Sequence, residues 1–221
     1  SLSNLETQFR RYISRKVSPD ITLKELYDKT GKEIIIVATN LNRKKAVYFH
    51  HVTFPYAKLI DVMLLSMSVP IVFQPRKMNY LGTDDYYIDG GTADNYIIWA
   101  FNDLEKLAQG KIDEINKESP IPTTTLGLKL LGTHDRNDKT VSDTRTNIED
   151  VTTYLYQIIN TLILQIERCD ITPSYIKQSI PIHIPDISFV DFNIDEKTID
   201  KLVKIGEEAV GKYLTRSNLS H

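Results

Sequence analysis

The chain has 221 residues, 41% hydrophobic and 25% charged, with 27 basic against 29 acidic side chains and a formal net charge of −2. This length and balance suit one folded domain or a large part of one, and the near-neutral charge without a basic stripe excludes a nucleic-acid binder held by phosphate attraction. One cysteine, Cys169, excludes an internal disulfide and fits a reducing, cytoplasmic setting in which it is a small packing residue, and no apolar run approaches the ~20 residues of a spanning helix.

Residues 2 to 16 carry Leu2, Leu5, Phe9, Tyr12 and Ile13 at near-helical spacing, with Arg10, Arg11, Arg15 and Lys16 opposite. That basic flank reads as a solvated face, with transient contact to anionic lipid heads as the alternative. Thr22-Leu23-Lys24-Glu25 has the form of a capping box opening a short helix that Gly31 ends. Ile34 to Thr39 is a continuous apolar, β-branched run, as in a strand covered on both faces, and Ala46 to Phe49 reads as its partner across a turn at Asn42-Arg43-Lys44. Tyr56 to Met67 is helical in pattern and stops before Pro70. Ser66 and Ser68 lie beyond any glycine elbow and read as non-catalytic. His50-His51, as neighbours on a strand, should point to opposite faces and so not share a metal ion.

Tyr80 and Tyr86-Tyr87-Ile88 read as short strands leading to Asp89-Gly90-Gly91. An acid before two glycines permits two readings. It is a hairpin turn signal, and it is also a way to present a carboxylate on a loop that can approach other groups closely, as a general base requires. Asp84 and Asp85 lie beside it. A like charge within about 6 Å would raise the proton affinity of Asp89, while a solvated turn accounts for both neighbours without that role.

Ile97 to Leu107 suggests a helix holding the single tryptophan, Trp99, and Asp113 to Pro122 a polar connection. Thr123 to Leu131 alternates as a strand does, and His134 to Thr146 has no apolar period and reads as an exposed loop. Val151, Leu155, Ile158, Ile159, Leu162 and Ile166 mark a long helix from Ile148 to Arg168. Ser179 to Ile184 is a further strand. Asn193 to Glu196 has the form of a second capping box, opening a last helix that should pack Ile199, Leu202, Val203, Val210 and Leu214. Strands alternating with helices predict an α/β fold, layered, with a mainly parallel sheet flanked by helices. Neither a repeat nor a second domain is evident.

In order and spacing, Ile34 to Leu41, Leu64 to Phe73 and Tyr87 to Tyr96 resemble the second half of a patatin-like phospholipase domain, and the resemblance continues through Thr125 to Leu130 and the final helix. It implies a serine hydrolase that cleaves acyl esters of lipids with a serine and an aspartate. The aspartate falls on Asp89 as catalytic residue, with Gly90, Gly91 and Asn95 as motif and loop support. The family's proline two positions after the asparagine is here Ile97, which loosens the expectation for the loop. No cofactor or metal is implied. The implied partners are a lipid or phospholipid substrate and, transiently, a membrane surface.

The serine should lie in a G-x-S-x-G elbow preceded by a glycine-rich oxyanion loop, yet none of the nine glycines has a serine two positions before or after it. Residues 1–221 therefore read as the C-terminal portion of a single patatin-like domain, incomplete at its N-terminal side, with no nucleophile in this chain and no lipase activity of its own. The rival reading is a non-enzymatic lipid- or partner-binding module that kept the fold and lost the chemistry.

Overall fold

A computed structural model describes residues 2–122, 124–131, 147–169, 173–184 and 194–218. Two units emerge, Ser1–Ser119 with Ile148–Asp170, and Pro120–Asn147 with Ile171–His221.

The first unit begins with helix α1 (Leu2–Ile13) and helix α2 (Leu23–Thr30). The expected capping box is present at α2: Thr22 accepts from the Glu25 amide, Glu25 accepts from the Thr22 amide, and Gly31 closes the helix in the left-handed region at φ 64°. Strands β1 (Ile36–Asn40) and β2 (Lys45–Phe49) follow as a hairpin, then helix α3 (Leu59–Ser66), strand β3 (Arg76–Tyr80) and strand β4 (Thr83–Asp89). The sheet order is β2-β1-β4-β3. On one face Ala38, Val47, Phe49 and Tyr87 pack with Leu23 of α2 and Val62 and Leu65 of α3. On the other, Thr39, Tyr48 and Ile88 are buried, and Trp99 meets Tyr48 edge to face at 5.3 Å. The sheet is thus covered on both sides, as the β-branched run at Ile34 to Thr39 suggests.

Its strand directions differ from expectation. Each pair in the four-stranded sheet is antiparallel, and for β1–β2 and β3–β4 the links are too short for a crossover, which takes a dozen or more residues. Residues 41–44 join β1 to β2, and Leu81-Gly82 joins β3 to β4 with both residues at positive φ, 51° and 84°, the two-residue turn that matches strand twist. Among the described residues, parallel pairing is confined to the second unit, where strand β5 (Gly127–Leu131) runs beside strand β6 (Ser179–His183). The chain is mixed α/β, without a mainly parallel sheet in the described residues.

After β4 the expected single helix from Ile97 divides into a 3-10 turn (Ile98–Phe101) and helix α4 (Leu104–Ala108). Asp103 divides it by accepting from the Lys106 amide at 2.9 Å, an N-cap bond that starts a new helix. Helix α5 (Val151–Cys169) closes the unit, capped by Asp150, which accepts from the Thr153 amide at 2.7 Å. The side chain of Cys169 and the loop expected at His134 to Thr146 lie outside the described residues.

The second unit adds a helix absent from the sequence reading, α6 (Pro173–Lys177), and the long helix α7 (Glu196–Asn218), which packs on β6. At the start of α7 Asp195 accepts from the Thr198 amide at 2.8 Å, and Asn193, where the expected box begins, lies outside the described residues. Along α7 Leu202 and Val210 are half-buried, but Ile199, Val203 and Leu214 stay exposed.

Candidate active site at the Asp-Gly-Gly turn

Asp89 is the last residue of β4, opposite Ala38 of β1. Strand parity puts its side chain on the same face as Tyr87 and Ala38, the face that meets α3. Its main chain is fixed on both sides: the Asp89 amide donates to the Ser68 carbonyl at 2.9 Å, and its carbonyl accepts from Thr39 Oγ1 at 2.8 Å. The chain then enters a 3-10 turn (Gly90–Thr92) instead of returning as a hairpin, and Asp89 caps that turn, one carboxylate oxygen accepting from the Gly91 amide at 2.8 Å.

Each glycine here answers to a close contact. A Cβ on Gly90 would overlap the carbonyl and side chain of Val37 on β1, so the turn is pressed against strand backbone. A Cβ on Gly91 would lie 2.6 Å from Asn95 Oδ1 and 3.0 Å from the Asp89 carboxylate. The predicted residues Asp89, Gly90, Gly91 and Asn95 are thereby brought together, with Asn95 at the exposed rim. Ile97 has φ −81°, close to the value proline fixes, so the backbone keeps much of the shape the family's proline would impose.

Burial pushes the Asp89 carboxyl above its usual range, and the Gly91 hydrogen bond opposes that only in part. Neighbouring acids are not the cause. Asp85 is buried, bonded to Asn40 Nδ2 at 2.9 Å and Arg43 Nε at 2.6 Å, contacts that hold its own carboxyl below the usual range. The expectation of a solvated turn fails for Asp85, because strand pairing carries it inward on the parity of Tyr87.

Ser68 is buried and turns its hydroxyl back onto the Leu64 carbonyl at 2.7 Å, as a non-catalytic serine would. Through the Ser68–Asp89 backbone bond, however, the segment after it borders the acid. There Val69 and Phe73 are half-buried, and Ile71 is exposed and held at φ 70°, a conformation β-branched residues seldom adopt. A hollow lined by Asp61, Leu65, Arg76, Lys77 and Met78 takes no residue from this turn.

Two clusters escaped sequence reasoning. Asp94, buried, accepts from Tyr48 Oη at 2.6 Å and from Lys117 Nζ at 2.7 Å, and Lys117 also lies 4.5 Å from the Trp99 ring centre, tying the Asp-Gly-Gly loop to β2. Glu33, His50 and His51 converge, although adjacent strand residues were expected to diverge. They do so because β2 ends at Phe49 and the Phe54 amide bonds the His50 carbonyl at 2.8 Å, turning the chain. The basic flank of α1 is partly spent on ion pairs, Arg10 reaching Glu6 at 3.0 Å and Asp20 at 3.2 Å.

Residues 4–102 match the family described as patatin-like phospholipase. Over that span the chain is similar to the family. The match takes in the Asp-Gly-Gly turn and Trp99, but stops short of the strand and final helix to which the resemblance was expected to run. A "probable lipid hydrolase" of Invertebrate iridescent virus 6 is 38% identical over 95 residues, 43% of this chain and 30% of that protein. An uncharacterized protein of Acanthamoeba polyphaga mimivirus is 27% identical over 191 residues, 86% of this chain and 57% of the relative. The chain thus spans between about a third and rather more than half of the length of these relatives. Among the described residues no helix is long and apolar enough to cross a membrane.

Proposed function

We propose that this chain supplies the acid-base half of a lipid acyl hydrolase of phospholipase A type, as the C-terminal portion of a layered patatin-like domain. Asp89 takes the proton of a serine hydroxyl borne on polypeptide outside these 221 residues, the alkoxide attacks the acyl carbonyl, and an acyl-enzyme forms as Asp89 returns that proton to the departing alcohol. Water activated by the same carboxylate then releases the fatty acid. The observation that carries this reading is the Asp89 carboxyl at the strand end, anchored through Gly91 and drawn by burial towards the proton affinity a general base needs. The patatin-like match and the relative named as a lipid hydrolase support it. Val69, Ile71 and Phe73 offer apolar surface beside the acid for an acyl chain.

A carboxylate base accelerates nothing without an aligned hydroxyl and donors for the oxyanion, so the 221 residues alone are inert. Ester hydrolysis should be absent from this chain and present in the complete gene product, where Asp89→Asn should lower kcat about 10²–10⁴-fold. Turnover by the 221 residues that Asp89→Asn abolishes would overturn the claim of inertness. Turnover by the complete product that Asp89→Asn leaves unchanged would overturn the role of Asp89. A complete product with no G-x-S-x-G and no turnover would make this the non-enzymatic module.

A further inference from the structure

The segment before β1 and the segment after β2 meet at the open end of their hairpin, since Ile36 pairs with Phe49. There one oxygen of Glu33, Oε2, lies 2.5 Å from His50 Nε2 and 2.9 Å from His51 Nε2. One ligand atom from each of the three residues falls within 4.8 Å of the others. His50 is fully buried, and Tyr27 of α2 stacks on His51 with ring centres 3.7 Å apart and planes 5° from parallel, which fixes that ring's orientation.

Hydrogen bonding accounts for only half of this arrangement. His50 Nε2 bonds Glu33 well, but His51 Nε2 is buried and makes no hydrogen bond, its short approach to the carboxylate being off-line. A buried ring nitrogen with that geometry is an unmet polar atom beside a carboxylate and a second imidazole, a set of donors that suits a metal ion.

We propose that Glu33, His50 and His51 form a divalent-cation site suited to zinc, which pins the start of β1 to the end of β2. Two imidazole nitrogens and one carboxylate oxygen favour zinc over magnesium or calcium, which prefer all-oxygen shells. Tetrahedral bonds of about 2.0–2.1 Å hold ligand atoms about 3.3 Å apart, so the two short contacts to Glu33 need to open by less than 1 Å. Coordination through His50 Nε2 puts the proton on Nδ1 and displaces the long 3.4 Å approach of the Val52 amide. Three protein ligands leave a fourth position for water. The site lies two strands from Asp89 in the sheet order and stands independently of the hydrolase reading.

The test is titration of the 221-residue chain, first stripped with chelator, with zinc chloride by calorimetry and with cobalt chloride by visible absorption. One ion per chain, a higher melting temperature with zinc but not magnesium, and a cobalt band typical of low coordination are expected. Glu33→Gln, which keeps the hydrogen-bonding shape, and His51→Phe, which keeps a ring on Tyr27, should each weaken zinc by at least ~10-fold, since even loss of an outer-shell partner costs that much. Absence of saturable zinc binding by the wild-type chain, or unchanged affinity in both variants, would overturn the proposal. Should either variant fail to fold, the ring nitrogen resonances of His50 and His51 under zinc decide it: movement of both supports the site, and movement of neither removes it.

Discussion

At Gly90 the limiting quantity is distance, not torsion. Its backbone angle is open to any residue, but a methyl group there would occupy the carbonyl of Val37, so the turn and β1 would have to separate. Gly90→Ala is expected to cost about 3 kcal/mol, at the upper end for overpacking, in urea unfolding monitored by Trp99. A cost under about 0.5 kcal/mol would mean that the contact relaxes freely. Asp89 carries a burden of another kind. Its carboxyl binds protons more tightly in the fold than in the unfolded chain, so across the window from about pH 4 up to its raised folded value the native state holds the extra proton, and stability falls as pH rises. Asp89→Asn keeps an oxygen for the Gly91 amide without the charge. It should therefore melt a few degrees above wild type at neutral pH, with the gain disappearing near pH 3. A gain that persists at pH 3 would assign the effect to packing instead. Stability given up where a base is needed is a recurrent mark of functional sites.

Asp85 shows the opposite sign and binds elements together. It joins β4 to Asn40 at the end of β1 and to Arg43 in the β1–β2 link, and Arg43 Nη2 also donates to Thr83 at 2.9 Å. Asn40 first and Arg43 second hold its carboxyl low, so its contribution is complete above about pH 4 and lost as pH falls through the depressed folded value. Melting temperature followed against pH should drop on acidification in wild type and less steeply in Asp85→Asn, the two curves converging in acid. Parallel curves would show that Asp85 does not titrate with folding. The sequence told part of this story. The Thr22 box, the Gly31 stop, the hairpin at Asn42 to Lys44 and the Asp89 turn were legible, because each depends on a few adjacent residues. The Asp85 network was not, since it is made by residues 42 to 45 positions apart brought together by strand register.

For the whole molecule, local patterns were legible and partners were not. Alternation announced a strand ending at Leu131, but only three-dimensional packing decides which side it buries: Gly127 and Lys129 are buried, while Leu128 and Leu130 are 60% and 57% exposed. Periodicity likewise marked α5, yet Val151 is 73% and Leu162 57% exposed. Strand direction failed for a related reason. An alternating series of strands and helices suggests crossovers, whereas the links at residues 41–44 and Leu81-Gly82 enforce hairpins. Leu126, Leu128 and Leu130 form a run of apolar side chains open to water, the kind of surface that binds hydrophobic dyes and promotes association. Leu128→Lys with Leu130→Lys should lower dye fluorescence and concentration-dependent light scattering. Because neither side chain is in the core, each change should alter stability by no more than about 0.5 kcal/mol. Unchanged dye binding with a large fall in stability would show that these leucines are covered in solution, and that β5 buries its odd and even positions alike.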